Sequence, residues 1–356
     1  MHEQKDYDHA DEKFMRAALR AAARGVGHTS PNPAVGAVIV RAKKIIARGF
    51  HHGPGLPHAE IEALRALKNP ALAAGATIFV TLEPCSTFGR TPPCVDAIMR
   101  AGFSRVVIGA IDPNPAHAGR GISLLREAGI AVTTGVLETE CRELNAAFNH
   151  WIVTKMPLVI AKAGMSLDGR LTRPPGESCW LTSPASRADV QQLRARVDAI
   201  LIGAQTLRDD NPRLTVRGIA SARQPWRVIL TRSSALPKDA HVFTDKHRER
   251  TLVFANQPLE KILSELGQRE ITSVLIEGGM RVLGEAFDAR LVHRAHFYVA
   301  PLLCGGPVVV VGGNGAGASA EAARIKAPRY RRIGDDLCMT GEVEYPAAEI
   351  SAASVV

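Results

Sequence analysis

A chain of 356 residues is longer than a usual single domain, so two domains are expected. Apolar residues at 46% and charged residues at 22% fit a globular protein that buries a core, and exclude a disordered or fibrous chain. The formal charge of +9 favours anionic partners; aromatics are only 5% and the basic residues are scattered, so phosphorylated small molecules are expected rather than nucleic acid.

The first eight residues are polar and lack an apolar signal core, and no run reaches 18 apolar residues. A cytoplasmic protein without a membrane span is therefore expected. Residues 11–24 predict an amphipathic helix with Phe14, Met15, Ala18, Leu19 and Ala22 on one face and Gly25 as its stop. Segments 34–40 and 44–49 predict paired strands around a charged turn. A helix is expected from His58 to Lys68 and a strand over 76–81. Helix 95–102, strand 105–109, helix 121–129 and strand 130–134 follow. This alternation predicts a three-layer α/β/α domain. One helical segment, 138–152, leads to Met156-Pro157, which reads as the junction between domains at 1–153 and 157–347.

The chemistry of the first half centres on His58-Ala59-Glu60, Cys85 and Cys94. One imidazole and two thiolates supply the three protein ligands of a catalytic zinc and leave a position for water. Glu60 is close enough in sequence to reach that water without binding the metal. His-x-Glu followed by Pro-Cys is the pattern of zinc deaminases. Those enzymes use Cys-x-x-Cys, whereas eight residues separate Cys85 from Cys94, so a loop containing Gly89, Pro92 and Pro93 must return to the metal. With all three ligands expected at helix N-terminal ends, the helix dipole would stabilise thiolate. A structural zinc, or no shared site, is the alternative on spacing alone. The other cysteines, Cys141, Cys179, Cys304 and Cys338, are dispersed and read as free thiols, mostly buried.

The second half restarts with a strand over 158–163. Helix 184–196 and strands 199–203, 226–231, 251–255 and 273–277 come next, then Gly278-Gly279 and helix 281–289. Glycines between strand and helix let backbone amides approach an anion, although a simple tight turn explains them equally on sequence alone. No Gly-x-Gly-x-x-Gly occurs, so no Rossmann fingerprint is expected. Residues 315–323 predict a loose surface segment.

The stretch from Thr81 through Glu83-Pro84-Cys85 to Pro93-Cys94 resembles the bifunctional deaminase–reductase family of riboflavin biosynthesis. So do Ser30-Pro-Asn-Pro-Ala-Val-Gly36, Pro57-His-Ala-Glu60 and Asp112-Pro-Asn-Pro115. Ala163-Gly-Met-Ser-Leu-Asp-Gly169, Gly176-Glu-Ser178 with Trp180, and Asp210-Asn-Pro-Arg-Leu-Thr-Val-Arg217 resemble its reductase half. The resemblance implies a cytidine-deaminase-like N-terminal domain and a dihydrofolate-reductase-like α/β C-terminal domain. It further implies Zn²⁺ on His58, Cys85 and Cys94, with Glu60 catalytic and NADPH as the reductant. Pyrimidinone and phosphate contacts are implied for Asn32, His51, Arg90, Asp112 and Asn114. Gly164, Trp180, Thr206 and Asp210 would hold NADPH, together with the backbone of Gly279, Met280, Arg281, Val282, Leu283, Gly284 and Glu285. Ser178, Arg194, Leu214, Arg217 and Glu277 would line the second substrate site, the arginines gripping a ribose phosphate. Two positions depart from the family: Thr87 stands where His is usual, and Thr231 where an acid is common. Arg232 is a candidate reader of the extra phosphate of NADPH.

The expected function is deamination of a phosphorylated diaminopyrimidinone, then NADPH-dependent reduction of its ribosyl group to ribityl, by a homo-oligomer (dimer or tetramer). Two other classes stay open on sequence alone: a nucleic-acid deaminase with an accessory domain, and a non-enzymatic nucleotide sensor with structural zinc.

Overall fold

The structure is a computed structural model that describes residues 7–88, 92–171, 180–220, 222–233 and 235–346. Two compact units divide at Met156 and Pro157.

The first unit runs α1 (His9–Ala22), β1 (Gly36–Arg41), β2 (Lys44–Phe50), α2 (Ala59–Arg65), β3 (Thr77–Leu82), α3 (Cys94–Ala101) and β4 (Arg105–Ala110). It continues with α4 (Arg120–Glu127), β5 (Ala131–Thr133), α5 (Glu138–Leu144) and α6 (Ala146–Thr154). Its sheet has the order β2-β1-β3-β4-β5, with β1 antiparallel to both neighbours and β3, β4 and β5 parallel. The central parallel strands β3 and β4 carry apolar runs, as burial on both faces requires: Ile78, Val80, Val106, Val107 and Ile108 have no exposure. Register explains the layering. Gly36 pairs with Phe50 and Ala37 with Gly49, so Gly36 and Gly49 face opposite sides of the sheet. A Cβ on Gly36 would lie 2.1 Å from the Ala18 carbonyl of α1, and one on Gly49 would lie 2.2 Å from the Ala63 amide of α2. The two helices therefore cover opposite faces at points that only glycine permits.

The single helix expected over 138–152 is two helices. They meet at Asn145, whose buried side chain accepts from the Ala34 amide at 2.8 Å and donates to the Ala34 carbonyl at 3.0 Å. Those two bonds satisfy the chain just before β1 and draw Asn145 out of helical geometry, at φ −110° and ψ 22°. Asn145→Ala strands both groups of Ala34. We expect a stability loss of about 1–3 kcal/mol, read as a lower denaturant midpoint; an unchanged midpoint would show that the bridge contributes nothing.

The second unit runs β6 (Leu158–Ser166), α7 (Pro184–Arg194), β7 (Ala199–Gly203), α8 (Ala204–Asp210), β8 (Trp226–Thr231), α9 (His241–Thr244) and β9 (Thr251–Ala255). Then come α10 (Leu259–Gln268), β10 (Ser273–Glu277), α11 (Met280–Asp288), β11 (Arg294–Ala300), β12 (Arg324–Ile333) and β13 (Asp336–Glu344). The eight-stranded order is β12-β13-β11-β6-β10-β7-β8-β9. From β11 to β9 every pairing is parallel, and β13 and β12 add an antiparallel edge. The last three strands and α8, α9 and α10 are not expected from the sequence. For β12 the reason is physical: Arg324 to Ile333 is almost wholly exposed, with Pro328 and five basic residues that suit an unpaired edge rather than a core-facing stripe. In α10 the buried set Leu259, Ile262, Leu263 and Leu266 does carry the helical spacing. Residues 315–323 are exposed and lack regular structure up to the start of β12.

Among the described residues no helix is long and apolar enough to cross a membrane. The described cysteines are free, with Cys141 and Cys338 buried and Cys304 half-buried; Cys179 lies outside the described residues.

Candidate active sites

In the first unit, His58 is the N-cap of α2 and Cys94 the first residue of α3. Cys85 is not at a helix end, contrary to expectation; it lies in the loop that leaves β3. That loop is directed back by a contact of its own, since the Cys94 amide donates to the Cys85 sulfur at 3.3 Å. The His58 Nδ1 atom is 3.4 Å from Cys85 Sγ and 3.3 Å from Cys94 Sγ. Zinc with bonds of about 2.0–2.1 Å to nitrogen and about 2.3 Å to sulfur separates tetrahedral ligands by roughly 3.5 Å. The donor set and its spacing therefore fit zinc. A hydrogen bond from the Cys94 thiol, opposed by burial and aided by His58, draws the Cys85 thiol down to about 4, while Cys94 is raised.

Glu60 sits in the first turn of α2, 3% exposed. Burial first, then the charge of Cys85, pushes its carboxyl up to about 7. A divalent cation on the triad would draw it back down, because positive charge favours carboxylate. His51 is buried and T-stacked on His58, with ring centroids 5.2 Å apart. Its Nδ1 lies 3.1 Å from the Pro57 carbonyl, which can only accept, so Nδ1 carries the proton. Nε2 is then the acceptor for Asn32 Nδ2 at 3.2 Å. Burial lowers the His51 pKa, which agrees with a neutral ring.

The loop after β4 holds Asp112 and Asn114. The Asn114 amide donates to Asp112 Oδ1 at 2.9 Å, and the Ala116 amide to Asn114 Oδ1 at 3.1 Å. Sequence reading misses what fixes this loop. The buried carboxylate of Glu83 accepts from the amides of Asp112, Gly119, Gly121 and Ile122, tying the end of β3 to the loop and the start of α4. Its signal was available, because an acid at the end of an apolar strand needs partners. Arg90 lies outside the described residues.

In the second unit a cavity of about 2490 Å³ opens at the C-terminal ends of the parallel strands. Gly164, Trp180, Thr206, Asp210, Gly279, Met280, Arg281, Val282 and Glu285 line it, as do Arg194, Leu214, Arg217 and Glu277. Leu283 does not; it is fully buried in the core. Gly284 packs on Gly312 and Gly313, where a Cβ would come within 2.4 Å of backbone. Ser178 lies outside the described residues. Gly278 and Gly279 have φ of +79° and +86°, so the turn into α11 requires glycine whatever it binds. Asn211, in the left-handed region at the end of α8, accepts from the His241 amide at the start of α9 at 2.9 Å.

Arg194 is turned differently from the sequence expectation. Nε and Nη2 donate to Glu277 Oε1 and Oε2 at 2.5 and 2.8 Å, and Nη1 donates to the Thr215 carbonyl at 3.1 Å. The fork expected to grip a phosphate is taken by Glu277. Lys162, on β6 and missed in the sequence, places Nζ 3.5 Å from Glu277 Oε2. Burial would raise the Glu277 pKa, but Arg194 and Lys162 hold it at about 2. The Thr231 hydroxyl closes a turn on Ser233, and Arg232 is exposed beside the cavity. A second His/Cys/Asp group, Asp189, His296 and Cys338, is occupied by the Arg331 guanidinium, 3.1 Å from Asp189 and 3.9 Å from Cys338. A cation there would meet a fixed positive charge.

One zinc per chain is therefore expected by metal analysis, falling well below one in Cys85→Ser. Full occupancy in that variant would remove Cys85 from the ligand set.

A layered α/β unit that closes one imidazole and two cysteine sulfurs around a buried glutamate defines a deaminase of the cytidine type, here joined to an α/β partner domain. Residues 8–110 match the family model described as the cytidine and deoxycytidylate deaminase zinc-binding region, and residues 157–339 match the RibD C-terminal domain. Riboflavin biosynthesis protein RibD of Bacillus amyloliquefaciens is 39% identical, over 93% of this chain and 95% of that protein. RibD of Escherichia coli is 38% identical, over 92% and 98%. Among solved structures, Acinetobacter baumannii RibD aligns with a TM-score of 0.87 and 36% identity, covering 94% of this chain and 99% of that one. A Thermotoga maritima diaminohydroxyphosphoribosylaminopyrimidine deaminase/5-amino-6-(5-phosphoribosylamino)uracil reductase gives 0.86 and 34%, with the same coverage. The chain belongs to the RibD family of riboflavin biosynthesis proteins.

Proposed function

We propose that the protein catalyses two consecutive steps of riboflavin biosynthesis. The first unit hydrolytically deaminates 2,5-diamino-6-ribosylamino-4(3H)-pyrimidinone 5′-phosphate to the 5-aminouracil. The second unit reduces the ribosyl group of that product to ribityl with NADPH. The observation that carries the first step is the convergence of His58, Cys85 and Cys94 beside buried Glu60. Family membership over both units supports the second.

His58, Cys85 and Cys94 would hold zinc, which when bound activates water as a nucleophile. Glu60 takes a proton from that water and returns it to the amino group, which departs as ammonia. His51, neutral and fixed by the Pro57 carbonyl, orients Asn32 so that its Oδ1 is turned to accept from a pyrimidinone N–H. Asp112, Asn114 and Arg90 complete the substrate contacts in this reading.

The cavity of the second unit exceeds the roughly 300–1,000 Å³ of an ordinary ligand pocket, which suits a dinucleotide beside a sugar phosphate. NADPH would lie along Gly164, Trp180, Thr206, Asp210 and the turn at Gly279, and would supply a hydride to C1′ of the sugar, the C1′–O4′ bond of the ring breaking and O4′ taking a proton from water. Glu277, kept ionised by Arg194 and Lys162, accepts hydrogen bonds from sugar hydroxyls. Arg217, Leu214 and Ser178 line the same substrate site, and Arg217 rather than Arg194 faces the phosphate.

Incubation with the diaminopyrimidinone phosphate, followed by mass spectrometry, tests both steps. Without NADPH the aminouracil should accumulate, and with NADPH the ribityl product should replace it. Recovery of unchanged substrate from zinc-loaded protein would overturn the first step; persistence of the aminouracil with NADPH would overturn the second.

A further inference from the structure

We propose that His117 is a specificity residue of the deaminase site, donating to the substrate's phosphate from a position across Thr87; this rests on the deaminase reading above.

The loops after β3 and β4 leave adjacent parallel strands, paired as far as Leu82 with Ala110, from the same C-terminal edge. Ligands of open α/β sheets bind beyond that edge. One loop carries Cys85 and Thr87, the other Asp112, Asn114 and His117. Glu83 locks the second loop through four backbone amides, so His117 hangs from a rigid support. The His117 amide is itself tied to the Asn114 carbonyl at 2.9 Å.

The imidazole meets the other loop at Thr87. Its Nδ1 and Nε2 lie 3.4 and 3.5 Å from Thr87 Oγ1, so the hydroxyl sits nearly midway between them and in line with neither. Both distances are at the long limit of a hydrogen bond, which leaves the ring's N–H able to turn to a stronger acceptor. Among the described residues of the two loops, 84–88, 92–93 and 111–119, His117 is the one side chain that can carry positive charge. Thr87 stands two residues after Cys85, so its contact with His117 places the imidazole against the loop that carries the metal-binding cysteine. The substrate's reacting carbon must lie at the triad, and its ribose phosphate must extend outward from there. A phosphate passing between the loops meets one hydroxyl, from Thr87, and one imidazole donor, from His117. Asp112 would repel the anionic end, and among the described residues of the two loops His117 is the cationic donor that can offset it.

The test compares kcat/KM for the pyrimidinone ribosylamine phosphate with that for its dephosphorylated form, in wild type and in His117→Ala. A charge-assisted hydrogen bond corresponds to roughly a tenfold loss on removal. The phosphate preference should therefore fall about tenfold in His117→Ala, with zinc content retained. The inhibition constant of ribose 5-phosphate against deamination should rise by a similar factor. A preference within twofold of wild type overturns the assignment. Should the alanine variant lose zinc, His117→Phe, which keeps the ring volume without a donor, is read in the inhibition assay. There an unmoved constant overturns the assignment and a raised one upholds it. Failure of wild type to deaminate either compound would overturn the parent reading and this assignment with it.

Discussion

Glu60→Gln is expected to leave zinc bound and to lower deamination by a factor on the order of 10²–10⁴. The substitution keeps the shape of a side chain that is 3% exposed, so the first turn of α2 and its cap His58 stay in place. The three ligands are untouched, and metal analysis should still give one zinc per chain. What disappears is the group that moves the proton. Burial raises the pKa of Glu60 and a bound cation would lower it, so the carboxylate is available to accept a proton and, held out of bulk water, to pass it on. Glutamine can do neither. The NADPH-dependent step, measured with aminouracil phosphate supplied directly, should continue. Deamination within a few-fold of wild type would remove Glu60 from the mechanism.

Arg194→Leu should damage the second unit through Glu277. The two residues form a bidentate pair at 2.5 and 2.8 Å, with Glu277 8% and Arg194 8% exposed. Removing Arg194 leaves the buried carboxylate with Lys162 alone, 3.5 Å away, and loss of one partner of a buried pair costs up to about 3–5 kcal/mol. For a unit of this size the melting temperature should fall on the order of 10 °C. Calorimetry of the full chain, with reductase activity as the marker of the affected transition, reads this directly. A shift under about 1 °C would show that the pair contributes nothing.

Acid supplies a second check. The folded-state pKa of Glu277, about 2, lies below its ordinary 4.5. Its contribution is therefore fully present above pH 4.5 and is lost as pH falls from 4.5 toward 2. In Arg194→Leu the buried carboxylate gains by protonation, so the stability gap between variant and wild type should narrow over that range. A gap that stays constant from pH 6 to pH 3 would mean that Glu277 is not held ionised by Arg194.

The sequence by itself determined those features whose chemistry is local or whose residue types admit few partners. Parallel strands such as β3, β4 and β10 are legible because burial on both faces demands continuous apolar runs. The Gly278-Gly279 turn is legible because two successive positive φ angles favour glycine. His58, Glu60, Cys85 and Cys94 stand out because soft donors and one acid in that pattern have few other uses, and the structure brings His58, Cys85 and Cys94 together as a group that could hold a metal ion. Tertiary structure alone decided where long polar side chains point. Arg194 reaches Glu277 across 83 positions of sequence, Asn145 reaches Ala34 across 111, and Thr87 meets His117 across 30. Nothing in the residues around Arg194 distinguishes a guanidinium aimed at a phosphate from one locked on a carboxylate; the strand order that puts β10 beside β7 makes that choice. The break at Asn145 has the same origin, since residues 138–152 have helical character on their own and only the unpaired backbone of Ala34 draws one of them away. Local pattern sets what a segment can become, and the partners delivered by folding set which buried polar group is satisfied by which, because a buried donor or acceptor without a partner costs too much to leave.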